Sequence, residues 1–337
     1  MDTKLPPYAT FGQRLWFYGF RVICGMIFFF LIAPIVTIIP LSFNAEDFFT
    51  FTPGMLALDP EAYSLRHYRA FFGEAGYPLT GLLIGLGIGI AITVALRLFK
   101  GSKNYFPIVI FAILGVIVGK LTGLEGEEWM TPMRNSLRIA PVATLLSVSF
   151  GTLAAIGLSQ SHVPFKGVIM AILISPMIVP LIISAAGMYF FYSRIGLQGT
   201  FMGVVLAHAA LGIPFVIITV TATLVGFDQS LTRAAANLGA NPVTTFFRIQ
   251  MPLILPGVIS GGLFAFITSF DEVVVVIFVG SAGQQTLPWQ MFTGLREQIS
   301  PTILAAATVL VGISIVMLAV VELLRQRSER LRGLSPT

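Results

Sequence analysis

The sequence predicts an all-α, polytopic transmembrane helical bundle. Three observations predict it. Of its 337 residues, 56% are hydrophobic and only 10% are charged, whereas a water-soluble domain carries about 25% charged residues. The apolar residues gather in runs of roughly 20, the length a helix needs to cross a hydrocarbon core. No run alternates polar and apolar residues as a barrel strand would. Disorder is excluded as well, since it requires low hydrophobicity and high charge. A single cysteine, Cys24, rules out an intramolecular disulfide and a cysteine-based zinc cluster.

Eight runs qualify as spans: Val22–Leu41, Leu79–Phe99, Phe106–Leu124, Leu137–Leu158, Val168–Phe191, Phe201–Val225, Pro256–Val279 and Ile303–Leu324. The first has no small-residue cleavage site after it, so it reads as a retained span and not a signal peptide. Lys and Arg in short loops set orientation. With the N-terminus inside, 13 of the 20 Lys and Arg residues fall on the cytoplasmic side. The acids lean outward, including Glu46, Asp47, Asp59, Glu61, Glu125, Glu127 and Glu128. Both termini are therefore expected in the cytoplasm. Arg325–Arg332 forms a basic tail suited to anionic lipid, not to nucleic acid. The expected divisions are a cytoplasmic segment 1–21, a first span with outer loop 22–78, a transmembrane hairpin 79–128, a core 129–325 and the tail 326–337.

Four stretches interrupt the hydrophobic pattern: Ser42–Pro78, Gly123–Arg134 and Gly280–Pro301 outside, and Gly226–Met251 inside. The last is the informative one. Asp228 or Ser230 can cap a helix, and Leu231–Leu238 is a good helix former. Gly239 can end it in left-handed backbone. Asn241-Pro242 can start a second helix, with Val243, Phe246, Phe247 and Ile249 as its apolar side. Pro252 and Pro256 are expected to interrupt the entry to the next span. On these residues alone two readings stay open: an interfacial helix resting on lipid, or a rigid knob offered to a cytoplasmic partner.

This loop resembles the EAA signature of ABC-importer permeases, the membrane subunits of binding-protein-dependent transport. Ala234, Ala235 and Gly239 match the signature's alanines and glycine. Ile249, Met251 and Pro252 match its Ile-x-Leu-Pro turn, and Leu255-Pro256-Gly257-Val258-Ile259 continues it. Arg233 stands at the family's glutamate, which helps seat the loop in the ATPase. The reversed charge implies a compensating acid on the partner or a weaker contact. Ser42-Phe43-Asn44, Tyr63–Tyr68, Asn135-Ser136-Leu137 and Ser269-Phe270-Asp271-Glu272 resemble the spermidine/putrescine branch. The resemblance covers roughly Phe30–Phe72 and Met133–Arg325, and fails between about Tyr77 and Glu128.

The resemblance implies a type I importer permease core (MetI-like) of six spans, so about eight with an inserted hairpin, Leu79–Leu124. It implies a coupling loop, 226–252, that meets the ATPase through Arg233, Ala234, Ala235, Gly239, Ala240, Phe246 and Pro252. It also implies two ATP-binding subunits, a second permease subunit and an extracytoplasmic substrate-binding protein, in the inner membrane. ATP and Mg belong to the partner ATPase, and this chain binds no cofactor. The implied cargo is a polyamine or a related amine. An amino-acid derivative, an opine or ferric iron remains an alternative within the class, and a self-sufficient secondary transporter lies outside it.

Asp271 and Glu272 are the acids placed deep in an apolar run. Ionisable groups at membrane depth normally face the bundle interior or water. Successive residues on a helix point about 100° apart, so both cannot face the same way. Two readings stay open: one of Asp271 and Glu272, preferably Asp271, lines the pathway and attracts a cationic substrate, or one of them caps or pairs structurally or both sit near the outer interface. His208 reads as a hydrogen-bonded packing histidine, with a proton relay or pathway group as the alternative. His67 and His162 fall in loops, and no His, Cys or acid spacing suits a metal. No nucleophile elbow occurs, so no catalytic residue is expected. Gly81, Gly85 and Gly89 read as close helix packing. Gly115–Thr122 is one residue short of a phosphate loop and has Leu121 where Ser or Thr is required; ATP must come from another chain. Trp16, Trp129 and Trp289 fall near predicted membrane boundaries, and Trp289 can stack on an amine.

Overall fold

The computed structural model describes residues 10–72, 113, 128–160, 163–225, 228–297 and 301–331. The expected hairpin 79–128, its glycine stripe, the Gly115–Thr122 segment and His162 lie outside the described residues, Ile113 and Glu128 excepted. The chain divides into two units, one from Met1–Phe71 with Ser300–Val309, the other from Phe72–Ile299 with Leu310–Thr337.

In the first unit, α1 (Phe11–Leu41) opens on a capping box: Gln13 N–H donates to Thr10 Oγ1, and Thr10 N–H donates to Gln13 Oε1. The helix thus starts well before the predicted span and takes in Trp16. Pro34 and Pro40 lie inside it. None of its residues is buried, as suits a helix facing lipid or another chain.

The stretch after it was expected to be a loop, yet it is folded as far as Phe72. Thr52 caps α2 (Pro53–Leu56), Asp59 caps a 3₁₀ turn (Pro60–Ala62), and α3 (Arg66–Phe72) closes the segment. Buried Asn44 organises it. Its Nδ2 donates to the carbonyls of Phe48 and Thr50, and its Oδ1 accepts from Glu46 N–H. Ser42 Oγ and Tyr68 Oη lie 2.7 Å apart, Tyr63 Oη donates to Met55 C=O, and Arg66 pairs with Asp47. Burial, with the Arg66 charge second, holds the His67 imidazole below its ordinary pKa.

The second unit is built on three crossing-length helices, α4 (Met130–Ser159), α7 (Phe201–Val225) and α10 (Met251–Phe270), with α5 (Lys166–Ile178) and α6 (Leu181–Ile195) between the first two. Small residues let the three long helices approach. A methyl group at Gly212 would sit 2.9 Å from Ala265 Cβ, and one at Gly261 would sit 2.7 Å from Val216 Cα. Ser147 Oγ on α4 donates across to Ala209 C=O on α7 at 3.0 Å. The final helix, α13 (Thr302–Leu331), begins in the first unit and ends in the second.

Two expected spans need correction. Val168–Phe191 is not one straight helix: α5 and α6 meet at a 103° bend. Val179 is extended and Pro180 follows it, because a residue before proline is pushed out of the helical region. Pro256–Val279 is also broken. Here α10 stops at Phe270 and a separate short helix, α11 (Val274–Val279), follows. At the other end Pro252 and Pro256 do not interrupt the entry. Helix continues from α9 (Pro242–Thr245) through a π turn (Phe246–Gln250) into α10. In that turn Met251 N–H reaches back to Phe246 C=O, and the longer loop absorbs the donor that proline lacks. The expected outer loop Gly280–Pro301 contains α12 (Leu287–Glu297). Among the described residues, four helices are long and apolar enough to cross a membrane, or five if the bent pair counts as one span.

Candidate coupling loop and pathway residues

Between α7 and α10 lies α8 (Gln229–Asn237), capped by Asp228, whose carboxylate accepts from Ser230 N–H at 2.8 Å and Ser230 Oγ at 2.7 Å. Those bonds hold the Asp228 pKa below the usual carboxylate range. The far end closes as a Schellman turn: Gly239 N–H donates to Ala236 C=O and Ala240 N–H to Ala235 C=O. Gly239 has φ +84°, a left-handed conformation that disfavours a Cβ. Asn241 then caps α9 through Thr244 N–H at 2.7 Å, with Pro242 in the first turn.

The loop is thus a helix–turn–helix joined without a break to α10. Ala235 and Thr245 are its buried members. Arg233, Ala234, Gly239 and Pro252 are exposed, and Ala240 and Phe246 are half-buried. Leu238, Val243 and Phe247 project outward, Leu238 at 88% exposure. An apolar knob with exposed Arg233 and Arg248 is stiff because its turn is closed by backbone hydrogen bonds, not by side chains alone.

The Asp271–Glu272 pair sits at the break between α10 and α11, not along a helix as the sequence implied. The two acids have opposite environments. Glu272 is buried, and its Oε1 accepts from Val275 N–H at 2.9 Å, so its charge meets the positive end of α11. Asp271 ends α10 and is exposed, adding its carboxylate to the negative end of a 20-residue helix. It continues an uncovered strip on α10 with Phe264 and Ile267, spaced as one helix face. One positive helix end is neutralised and one negative end reinforced, which makes the break attractive to cations.

His208 lies on α7, buried, with Nδ1 2.8 Å from Ser269 Oγ on α10. Trp129 is buried within the second unit. Trp289 lines a cleft of about 330 Å³ with Ile277, Phe292, Thr293 and Arg296, and a guanidinium on that rim opposes stacking of an amine there.

The profile of the family "Binding-protein-dependent transport system inner membrane component" matches residues 147–330, which takes in α7–α11 and the whole knob. The chain belongs to this family. The spermidine/putrescine transport system permease protein PotC of Haemophilus influenzae is 31% identical over 194 residues, covering 58% of this chain and 76% of that protein. The putrescine transport system permease protein PotI of Escherichia coli K12 is 30% identical over 197 residues, covering 56% and 70%. A chain from the crystal structure of a bacterial ABC transporter that imports the acidic polysaccharide alginate aligns over 96% of this chain and 99% of its own, with a TM-score of 0.57 and 14% identity. That likeness shows a shared fold. The chain is therefore a multi-pass inner-membrane permease subunit of an ABC importer, and ATP hydrolysis is carried by a separate ATPase subunit with which it works.

Local signals were readable for the knob, because Asp228, Gly239 and Asn241-Pro242 act on their own neighbours. The cap formed by Glu272 and the His208–Ser269 contact had no such signal. Both depend on where α10 ends, which tertiary packing decides.

Proposed function

We propose that the chain is a polyamine permease whose loop between α7 and α10 is the coupling element. The observation that carries the reading is the knob: two capped helices around a left-handed glycine, rigidly continuous with α10, inside the family's matched segment. The polyamine class is supported by the relatives' transport of spermidine and putrescine and by the exposed carboxylate at a negative helix end.

In this reading both termini are cytoplasmic, and the assembly holds a companion permease, two ATPases and an extracytoplasmic binding protein. ATP and Mg sit on the ATPases. Closure of the ATPases pushes on Arg233, Ala234, Ala235, Gly239, Ala240, Phe246 and Pro252. Because α9, the π turn and α10 form one rod, the push reaches the α10–α11 break directly. Asp271 lines the pathway and draws the cation from the opened binding protein, while Glu272 maintains the break. A bound partner can shift such an equilibrium only by its preference for one state.

The test is uptake by the complete importer in proteoliposomes. Labelled spermidine or putrescine should be imported with ATP and competed by unlabelled polyamine. Import of an opine or ferric complex with indifference to polyamines would overturn the substrate assignment.

A further inference from the structure

Both halves of the α10–α11 break meet α7, while α11 also packs on α6 and the end of α10 on α4. Before the break, His208 Nδ1 meets Ser269 Oγ at 2.8 Å, two residues from Asp271. After it, Val204, Val205 and Ala207 of α7 pack with Val275, Val276 and Val279 of α11, and Gly199 N–H, just ahead of α7, donates to Val279 C=O at 2.8 Å. Ala207 and Ala209, which flank His208 in sequence on α7, are both buried. Ala209 C=O in turn takes the Ser147 hydroxyl of α4.

An imidazole is a poor choice for mere packing here. It is buried to 1% exposure, and its Nε2 has no hydrogen-bond partner among the described residues. A buried polar atom left so is destabilising, and an apolar residue of similar volume would avoid that. What the ring adds over such a residue is the Nδ1 contact to the last turn of α10.

We propose that His208 is a positioning residue for the substrate pathway: its bond to Ser269 sets the rotation of the last turn of α10, and so keeps the Asp271 carboxylate on the uncovered face. The valine packing holds α11; at the end of α10 the His208–Ser269 bond adds a directional contact to the packing of Phe266 and Phe270 on Ala140 of α4. This inference rests on the reading of Asp271 as a pathway residue. Without the bond the last turn can rotate, and the carboxylate no longer faces arriving cargo. The complex would still assemble and hydrolyse ATP but would deliver less.

The test uses the complete importer in proteoliposomes, with labelled spermidine, and reads the ratio of spermidine imported to ATP hydrolysed. His208→Leu and Ser269→Ala should each lower that ratio about fivefold, the weight of one ordinary hydrogen bond, with binding-protein-stimulated ATPase activity kept. The double variant should be no worse than either single one. His208→Asn, whose side-chain amide reaches the position of Nδ1, should restore the ratio. A wild-type ratio for both His208→Leu and Ser269→Ala would overturn the proposal. So would equal loss in His208→Asn and His208→Leu, or loss of ATPase activity in parallel with uptake, which would mean simple structural damage. Asp271→Asn in the same assay separates the two claims: a lowered ratio there with a normal ratio in the His208 variants sinks the positioning role alone, whereas a normal ratio in Asp271→Asn sinks the pathway reading on which it stands.

Discussion

Gly239 and the Asp271–Glu272 pair carry the residue-scale chemistry. A side chain at Gly239 meets no neighbour within 4 Å, so the penalty of Gly239→Val comes from the left-handed backbone, about 1–2 kcal/mol. The variant should assemble yet lose stimulated ATPase activity and uptake together, which a paired assay would detect. Intact coupling in a stable complex would refute the role of the turn. The acids should separate by measurement. Glu272→Leu removes the cap of α11 and should lower stability by about 1 kcal/mol, seen as a reduced melting temperature. Asp271→Asn should leave melting unchanged and depress uptake. The roles of Asp228 and Gly239 were legible because a cap or a left-handed turn is written in two or three adjacent residues. The division between Asp271 and Glu272 was not, since an uninterrupted apolar run gives no sign that helix stops at Phe270.

At the scale of elements, prolines mark where sequence and structure part. Pro180 breaks its span and Pro256 does not; the difference lies in whether neighbouring helices and a π turn can rehouse the freed carbonyls. No pattern in the chain distinguishes those cases. The small-residue packing of α4, α7 and α10 is testable at Gly261. A methyl there meets the Val216 backbone, so Gly261→Ala should destabilise by about 1–3 kcal/mol. Gly157→Ala, with nothing within 4 Å, should be harmless in the same thermal scan. The segment 42–72 makes a pH prediction. Its buried His67 has a native pKa below the ordinary value of 6.5, so the opened segment binds protons more readily than the folded one. Its stability is full above that ordinary value and declines as pH falls toward the native one. Proteolysis of the segment should rise between pH 7.5 and about 5, and His67→Gln should flatten the change.

For the whole molecule, composition alone identified a membrane bundle, and the spacing of one loop identified the transport class. The family match over 147–330 takes in that loop. The bends and breaks of individual spans belong to packing among helices, which apolar composition does not encode. Which partner touches the knob is the decisive question. A photo-crosslinking residue placed at Leu238, which is 88% exposed, in the assembled importer should yield an adduct with the ATPase subunit, and its yield should change when ATP analogue is added. An adduct confined to the binding protein or to lipid, with none to the ATPase, would contradict it.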